Sequence, residues 1–411
     1  MKIDLLLRNA RVHGFDGLID IAVAGGVVTA LEREIVCDAA MEEDLGGRVA
    51  FPGFVDSHVH LDKACILDRC SICAGTLQEA VRETATAKAG FTGDDVHARA
   101  SRVVEKAICH GTTRMRSFVE VDPRAGLRSF EAIRRIKADY AFALDIQICA
   151  FAQDGLTQEP ETLDLLDRAL SNGADLVGGC PYTDPDPARH VGLIFDLAEK
   201  HGVDVDFHLD FDLDPTVSNL PVVISETVAR GYQGRVAVGH MTKLSAMPPA
   251  RLTQLIRDLK EAGIALVTLP ATDLFLTARD HDHDIPRGVA PAHIFAQGGV
   301  NSAIATNNVL NPFTPYGDAS LGRMANLYAN VLQVSRDDEL NTVFSMVSDS
   351  PARILQSAYD LKVGGPADIV VLDATDAVSA IREIAPALCG WKAGRKSFSR
   401  PAPLLHRPAG G

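Results

Sequence analysis

The sequence predicts an α/β fold, a (β/α)8 barrel with a small β-sandwich domain formed by both chain ends. Three observations predict it: eight apolar, strand-like runs, helical periodicity between them, and a different pattern at each end of the chain. Strands that alternate with helices favour a parallel sheet, and eight such units suit a closed barrel. The 411 residues can form one large core and a second, smaller domain.

The elements of the predicted barrel follow one another through the middle of the chain. The eight candidate strands are residues 49–59, 113–119, 142–151, 174–179, 203–209, 235–239, 264–269 and 302–306. Apolar residues recur at helical spacing between them, over 77–88, 95–108, 187–200, 221–230 and 249–262. We therefore assign residues 49–361 to the barrel.

Both ends of the chain have the pattern of short strands and turns. Residues 2–28 contain two apolar strand-like runs, with Gly25 and Gly26 as a turn between the second run and the next strand. Residues 364–373 and 388–396 repeat the pattern. Two β-rich ends that flank a barrel most simply meet as one sandwich, so residues 1–48 and 362–411 are assigned to it. The proline-containing tail from Arg400 is expected to be loosely ordered.

The composition indicates a cytoplasmic protein that acts on a small molecule. Lys plus Arg is 40 and Asp plus Glu is 54, and the net charge of −14 argues against nucleic acid and membrane surfaces as partners. No apolar run reaches the roughly 20 residues of a membrane helix, and the start of the chain lacks a signal-peptide pattern. Eight scattered cysteines indicate reduced thiols.

Chemistry-bearing side chains stand at the carboxyl ends of several candidate strands, where barrel enzymes build their active sites. These strands end in His58-Val-His60, His208-Leu-Asp210, His240 and Asn307. Residues two apart on a strand share a face, so His58 and His60 can hold one metal ion. Three imidazoles suit Zn or Fe(II) and leave positions open for water. The pattern predicts one divalent ion that lowers the pKa of its bound water.

The run from Phe51 to Lys63, FPGFVDSHVHLDK, resembles the first-strand motif of the amidohydrolase superfamily. More narrowly, the chain is similar to the branch that holds cytosine deaminase and N-isopropylammelide amidohydrolase. The similarity extends along nearly the whole chain, through residues 116–122, 147–153, 307–317 and the GPADIVVL run from Gly365. It implies hydrolysis of a C–N bond in a small cyclic or amide-like substrate, and a homo-oligomer. The alternative is a linear amide, carbamate or hydantoin-type substrate.

The resemblance also implies roles for individual residues. His58, His60 and His208 match metal ligands, and His240 matches a histidine that orients or deprotonates the metal-bound water. Gln153 matches a glutamine that hydrogen-bonds the pyrimidine amide. Lys63 is a further candidate for substrate binding, and a salt bridge with a neighbouring carboxylate is the alternative for it.

The chain departs from the family pattern at three positions. Asn307 replaces the aspartate that serves as ligand and general base, and an amide cannot accept a proton at neutral pH. Phe211 replaces a glutamate that shuttles protons, and Phe118 replaces a histidine of the second strand. The two phenyl rings predict a more apolar, substrate-contacting pocket, and the ring at Phe211 in place of a carboxylate argues against cytosine itself.

Asn307 leaves three interpretations open. Asp210 takes over as base, because it shares a strand face with His208; the chain is a deliberate Asp-to-Asn variant; or the protein binds a ligand without hydrolysing it. Residues 273–284 could imitate a metal site, since 280–284 alternate Asp and His. A solvated loop over the barrel mouth is the favoured interpretation, because no apolar strand holds these groups.

Overall fold

The computed structural model describes residues 2–406; Met1 and residues 407–411, which include the end of the predicted tail, lie outside it. The strands are β1 (Ile3–Ala10), β2 (Ile19–Ala24), β3 (Val27–Glu32), β4 (Ala39–Asp44), β5 (Ala50–Phe51), β6 (Phe54–Val59), β7 (Thr112–Glu120), β8 (Asp145–Ala152), β9 (Leu176–Gly179), β10 (Asp204–Leu209), β11 (Val236–His240), β12 (Ile264–Thr268), β13 (Ser302–Ile304), β14 (Ile369–Leu372), β15 (Ala387–Lys392) and β16 (Arg395–Ser399).

The α-helices lie mostly between the strands of the middle region, as predicted. They are α1 (Leu77–Lys88), α2 (Gly93–Cys109), α3 (Arg128–Asp139), α4 (Glu161–Ser171), α5 (Pro187–His201), α6 (Leu220–Ala229), α7 (Pro249–Glu261), α8 (Pro270–Leu276), α9 (Ala292–Gln297), α10 (Leu321–Val331), α11 (Asp337–Ser345), α12 (Asp349–Ile354) and α13 (Ala377–Arg382).

Strands β6 to β13 form one parallel sheet in chain order, which confirms the predicted barrel. The sheet closes between its first and last members through Asn307, just after β13. The amide N–H of Asn307 donates to the His58 carbonyl, and the His60 N–H donates to the Asn307 carbonyl, both at 2.8 Å. These backbone hydrogen bonds place Asn307 next to His58 and to His60, at the end of β6.

Two predicted barrel strands differ most from their limits in the structure. The run 49–59 is broken at Pro52 and Gly53, where Gly53 has φ 94°, a conformation that favours glycine. The part before the break, β5, pairs with β14 of a smaller sheet, and only β6 belongs to the barrel. The third strand begins at Asp145 rather than 142, because Phe142 lies in an exposed turn after α3.

The small β-sandwich is confirmed. One sheet has the order β3-β2-β1-β4, and the other has the order β16-β15-β14-β5. Apolar side chains from both sheets share one buried core, among them Leu5, Ile21, Ile369 and Trp391. The predicted domain boundaries stay a proposal, and two elements modify them. Strand β5 lies within the predicted barrel but pairs with β14 of the sandwich. Helix α13 lies between β14 and β15 in the chain, but its Ile381 packs into the core of the barrel.

The lower end of the barrel interior is closed by an ion pair. Arg116 on β7 donates through Nη1 to Asp206 on β10 at 2.8 Å, and through Nη2 to Gln147 on β8 at 3.0 Å. Both charged side chains are buried. Within residues 2–406, no helix is long and apolar enough to cross a membrane, and the eight cysteines are unpaired, as predicted.

Candidate active site

Four histidines from three strands meet at the upper end of the barrel, as predicted. The ring centroids of His58 and His208 lie 4.5 Å apart, those of His60 and His208 5.1 Å, and those of His208 and His240 5.0 Å. All four side chains are buried. One nitrogen from each of His58, His208 and His240 lies within 4.8 Å of the other two. This spacing suits a shared ion, but the group contains His240 in place of His60, which the family resemblance implies as the third ligand.

The histidine cluster has the properties of a metal site. Both ring nitrogens of His58 and His60, Nε2 of His208 and both amide atoms of Asn307 are buried without a hydrogen-bond partner. Polar atoms are rarely left so in a folded protein. A bound cation would satisfy one ring nitrogen of each histidine and the amide oxygen of Asn307. Burial lowers the pKa of His58, His60 and His208 well below the ordinary value, which keeps them in the neutral form that binds metals.

The functional side chains stand where the strands end in unusual backbone conformations. His240 has φ 70°, Asn307 has φ 58° and Asp210 has φ 53°. Left-handed backbone is uncommon outside glycine, and asparagine and aspartate tolerate it best. Such residues concentrate at functional sites, where the surrounding structure holds them in place.

His240 is oriented by a residue that the sequence analysis missed. Its Nδ1 lies 2.7 Å from Oδ1 of Asp273, a side chain of α8 with no exposed surface. Oδ2 of Asp273 accepts the backbone N–H of Leu269 at 3.1 Å, which fixes the carboxylate. Burial raises the pKa of Asp273, and the contact with His240 opposes this shift. The arrangement places the proton on Nδ1 of His240 and leaves Nε2 free.

The prediction of a solvated loop over residues 273–284 is therefore wrong for its first part and confirmed for its last. Residues 270–276 form α8 and carry the buried Asp273, whereas 280–284 are exposed. The available signal was Pro270 directly after an apolar strand, because proline favours the first position of a helix.

Asp210 is not brought to the histidines. Its carboxylate accepts hydrogen bonds from the Ser218 hydroxyl and from the Asn219 N–H at 2.9 Å, and Lys243 Nζ lies 3.8 Å away. The physical reason is that β10 ends at Leu209 and the backbone turns left-handed at Asp210, so that Asp210 no longer shares a face with His208. Its carboxylate anchors the loop after β10.

The two phenylalanines at the departures from the family pattern have different surroundings. Phe118 lies flat against His58, with ring centroids 3.9 Å apart and planes 25° apart, and it does not line the chamber in front of the histidines. Phe211 lines that chamber and meets His240 edge to face at 4.8 Å. Phe118 thus packs behind His58, a candidate metal ligand, whereas Phe211 faces the space available to a substrate.

Lys63 and Gln153 form the polar wall of this chamber. Lys63 is 2% exposed, donates to Oε1 of Glu120 at 2.6 Å and to Oε1 of Gln153 at 3.3 Å, and lies 4.3 Å from the centroid of the Phe313 ring. The sequence analysis left two roles open for Lys63, a salt bridge and a contact with the substrate. Lys63 is paired with a carboxylate, and it also borders the chamber where a substrate would lie. An ammonium has three donors, so one remains for a ligand.

A buried ionic network that the sequence analysis missed holds Lys63 in place. Lys88 of α1 donates to the other oxygen of Glu120 at 2.8 Å, and lies 2.5 Å from Asp122 and 2.7 Å from Asp154. Burial alone would raise the pKa of Glu120, but Lys63 and Lys88 bring it down to about 2. The carboxylate is therefore ionised at neutral pH and balances Lys63.

The rest of the chamber is narrow and mainly apolar. Its remaining walls include Leu77, Tyr182, Phe211, Leu276 and Phe313. Leu77 belongs to α1 and Leu276 to α8, so both helices cover the barrel mouth. The predicted apolar character of the pocket agrees with this lining.

A closed parallel barrel with imidazoles and an Asp–His pair at its strand ends defines a hydrolase of the metal-dependent barrel class. The amidohydrolase family model matches residues 49–396, and the chain belongs to this family. It is an enzyme that hydrolyses C–N bonds other than peptide bonds, as its sequence predicts.

The relatives confirm the predicted branch. N-isopropylammelide isopropyl amidohydrolase of Pseudomonas sp. (strain ADP) is 27% identical over 406 residues, which cover 95% of this chain and 96% of that protein. The structure of 5-methylcytosine deaminase from Klebsiella pneumoniae with 5-fluorocytosine has a TM-score of 0.93 at 28% identity, covering 98% and 100% of the two chains. N-isopropylammelide isopropylaminohydrolase from Burkholderia multivorans has a TM-score of 0.85 at 28% identity, covering 96% and 98%.

Proposed function

We propose that this enzyme releases an amine or ammonia from a small, oxo-substituted nitrogen ring. The observation that carries the proposal is the narrow chamber in which unpartnered histidine nitrogens face Lys63 and Gln153. His58, His60 and His208 would hold one divalent ion, zinc or iron, with the amide oxygen of Asn307 beside it. When bound, the ion supplies a water molecule activated for attack near neutral pH.

His240 is the proposed proton carrier. The carboxylate of Asp273 accepts a hydrogen bond from Nδ1–H of His240. Nε2 is therefore the nitrogen that can take a proton from the attacking water. The same nitrogen then returns the proton to the departing amine. Asp273 stabilises the imidazolium that forms in between. In this assignment neither Asn307 nor Asp210 has to act as the general base.

Lys63 and Gln153 are the proposed substrate-recognition pair. The free donor of Lys63 and the Nε2 of Gln153, whose only polar contact among the described residues is the Cys180 sulfur at 3.6 Å, can both hydrogen-bond a ring oxygen. Such an oxygen carries partial or full negative charge in acidic oxo-nitrogen rings. Lys63 also stabilises charge that develops on the ring during attack.

The apolar wall supports a substrate that carries a hydrocarbon group on the departing nitrogen. Phe211, at the position where the deaminase pattern has a glutamate, offers carbon surface together with Leu276. The printed names of the relatives, an isopropylammelide hydrolase and a methylcytosine deaminase, support the same substrate class. A linear amide, a carbamate or a hydantoin-type ring is the second candidate class, because each also presents an oxygen to Lys63.

The decisive experiment combines elemental analysis with the Asn307→Asp variant. Both proteins are assayed for release of ammonia and alkylamine from oxo-triazines, pyrimidines, hydantoins and linear amides. The expected result is about one zinc or iron per chain and turnover of an N-alkylated oxo ring by the unaltered chain. Turnover only after Asn307→Asp would identify an inactivated variant. Metal without turnover in either protein would leave the ligand-binding interpretation.

The remaining proposals concern the surroundings of the enzyme. We place it in the cytoplasm, since its eight cysteines are unpaired thiols. Its net charge of −14 supports a small-molecule substrate rather than nucleic acid. A homo-oligomer is proposed on the family resemblance alone.

A further inference from the structure

A second cavity, of about 240 Å³, lies at the end of the barrel opposite the histidines. Its walls come from the amino-terminal ends of β10, β11 and β12, the loop before β13, and the ends of α7 and α12. Its apolar part is formed by Val205, Val236, Ala265, Ile264, Val300 and Ile354. An engineered apolar cavity of about 150 Å³ binds benzene, so this one can hold a substituted ring.

This cavity is separate from the active-site chamber. Arg116 lines it, and the same side chain bonds Asp206 and Gln147 across the barrel interior, which closes the passage upward. The described residues that line it include no histidine, cysteine or hydroxyl side chain. These walls have no nucleophile or transition-metal ligand set, so the cavity suits binding rather than a second reaction.

The charged part of the lining is mainly cationic, in a chain with a net charge of −14. Arg116, Arg235, Arg353 and Lys260 line the cavity together with one carboxylate, Asp204.

The three arginines are already paired, and Lys260 is not. Arg116 pairs with Asp206, Arg235 with Asp204 at 2.8 Å and Arg353 with Asp349 at 2.5 Å. Lys260 has no ion pair among residues 2–406, and it extends over Gly299, where an added Cβ would lie 3.0 Å from Nζ. Lys260 is therefore the free cation at an otherwise neutralised and apolar cavity.

Two further groups can recognise a ligand. Arg235 donates from Nε to Asp204 and from Nη2 to the Gly202 carbonyl, so its Nη1 remains available on the lining that it shares with Lys260. The Oδ1 of Asn301 is buried without a hydrogen-bond partner and can accept an N–H or O–H from a substituent on a ligand's ring, but it cannot bond a carboxylate. Unsatisfied buried acceptors are uncommon, and this one borders the cavity.

We propose that this cavity binds a small aromatic carboxylate, with its ring against the apolar wall and its carboxylate at Lys260 and Arg235. The ligand would contact the starts of β10 and β11, whose other ends carry His208 and His240. Binding to the folded state alone raises the apparent stability of the enzyme.

Calorimetric titration of the intact enzyme with benzoate tests the proposal. Benzyl alcohol supplies the ring without the charge, and acetate and inorganic phosphate supply charge without the ring. Benzoate is expected to bind saturably, at one site, more tightly than all three. Lys260→Met should weaken benzoate binding roughly fivefold, the effect of losing one exposed ion pair. Lys106→Met, at an exposed lysine of α2 without an ion pair among residues 2–406, is the matched control and should bind benzoate normally.

A second variant locates the ligand. Ala265→Phe fills the cavity and should abolish benzoate binding. Circular dichroism checks that this variant folds. If it does not fold, the surface variant Lys260→Met still tests the proposal. Absence of benzoate binding, or equal affinity for benzyl alcohol, would overturn the proposal. Benzoate binding that Lys260→Met does not weaken would also overturn the proposal, because benzoate would then bind elsewhere, for instance at Lys63.

Discussion

Oδ1 of Asp273 lies 2.7 Å from Nδ1 of His240, and both side chains are buried at the mouth of the barrel. The contact joins α8 to the end of β11 and sets which nitrogen of His240 faces the chamber. In a chain whose eighth strand is followed by Asn307 rather than aspartate, this oriented imidazole is the base that we propose.

Asp273→Asn should therefore lower turnover at least tenfold, the usual cost of losing the partner that orients a histidine. The amide can present its NH2 to Nδ1, which would favour the wrong tautomer. Metal content should stay near that of the unaltered chain, since His58, His60 and His208 are untouched. Steady-state kinetics and elemental analysis measure the two effects. Asp280→Asn, in the exposed loop, is the control and should leave turnover unchanged. Equal turnover by both variants would show that Asp273 does not contribute to catalysis.

The sequence predicted those parts of the site that depend on local pattern. Strand periodicity placed His58 and His60 on one face, and the carboxyl ends of parallel strands brought His208 and His240 to them. Asp210 was misplaced because the argument assumed a continuing strand, and nothing in the sequence marks the left-handed turn at that residue.

Asp273 and Lys88 were missed for a different reason. Each acts through partners far away in the chain, His240 for Asp273 and Glu120 for Lys88. Lys88 has the pattern of the last, solvated residue of an amphipathic helix, where a lysine is common. Its burial follows from how α1 docks on β7, which single-sequence periodicity does not contain.

Lys88→Met should destabilise the fold by about 3–5 kcal/mol, because it leaves the buried Glu120 and Asp122 and the partly buried Asp154 without this cation. Denaturant unfolding at neutral pH measures the loss. Lys137→Met removes an exposed pair with Asp175 and should cost less than about 1 kcal/mol. Similar values for the two variants would show that the network contributes no more than a surface ion pair.

Phe118→Leu should weaken metal binding about tenfold, because the ring that lies 3.9 Å from His58 holds that imidazole in position. Competition with a chelator measures the affinity. Phe130→Leu removes a fully buried ring of α3, away from the histidines, and controls for the general cost of a core substitution. A metal affinity that falls equally in both variants would mean that core packing, and not the stacking on His58, matters.

The ion pair at the start of α2 makes part of the stability depend on pH. Asp95 accepts hydrogen bonds from Arg69 at 2.8 Å and from Arg99 at 3.0 Å, and Arg99 also donates to the carbonyls of Asp62 and Ala64, just after the metal motif. The Arg69 contact, with Arg99, lowers the pKa of Asp95 from 3.8 to about 2, against the effect of burial. A carboxyl group whose pKa is lower in the folded state stabilises above the unfolded value and loses this effect as the pH falls.

Asp95→Asn should accordingly lower the free energy of unfolding by about 1 kcal/mol at pH 7, a value that allows for solvent screening of this partly exposed pair. The difference from the unaltered chain should shrink between about pH 4 and pH 2, as Asp95 is protonated in the folded state. Asp68→Asn is the control, since Asp68 lies 4.0 Å from Arg69 on the exposed surface. Unfolding curves across this pH range decide the matter: a difference that persists unchanged at pH 2 would assign the effect to helix capping or packing, because neither requires an ionised carboxylate.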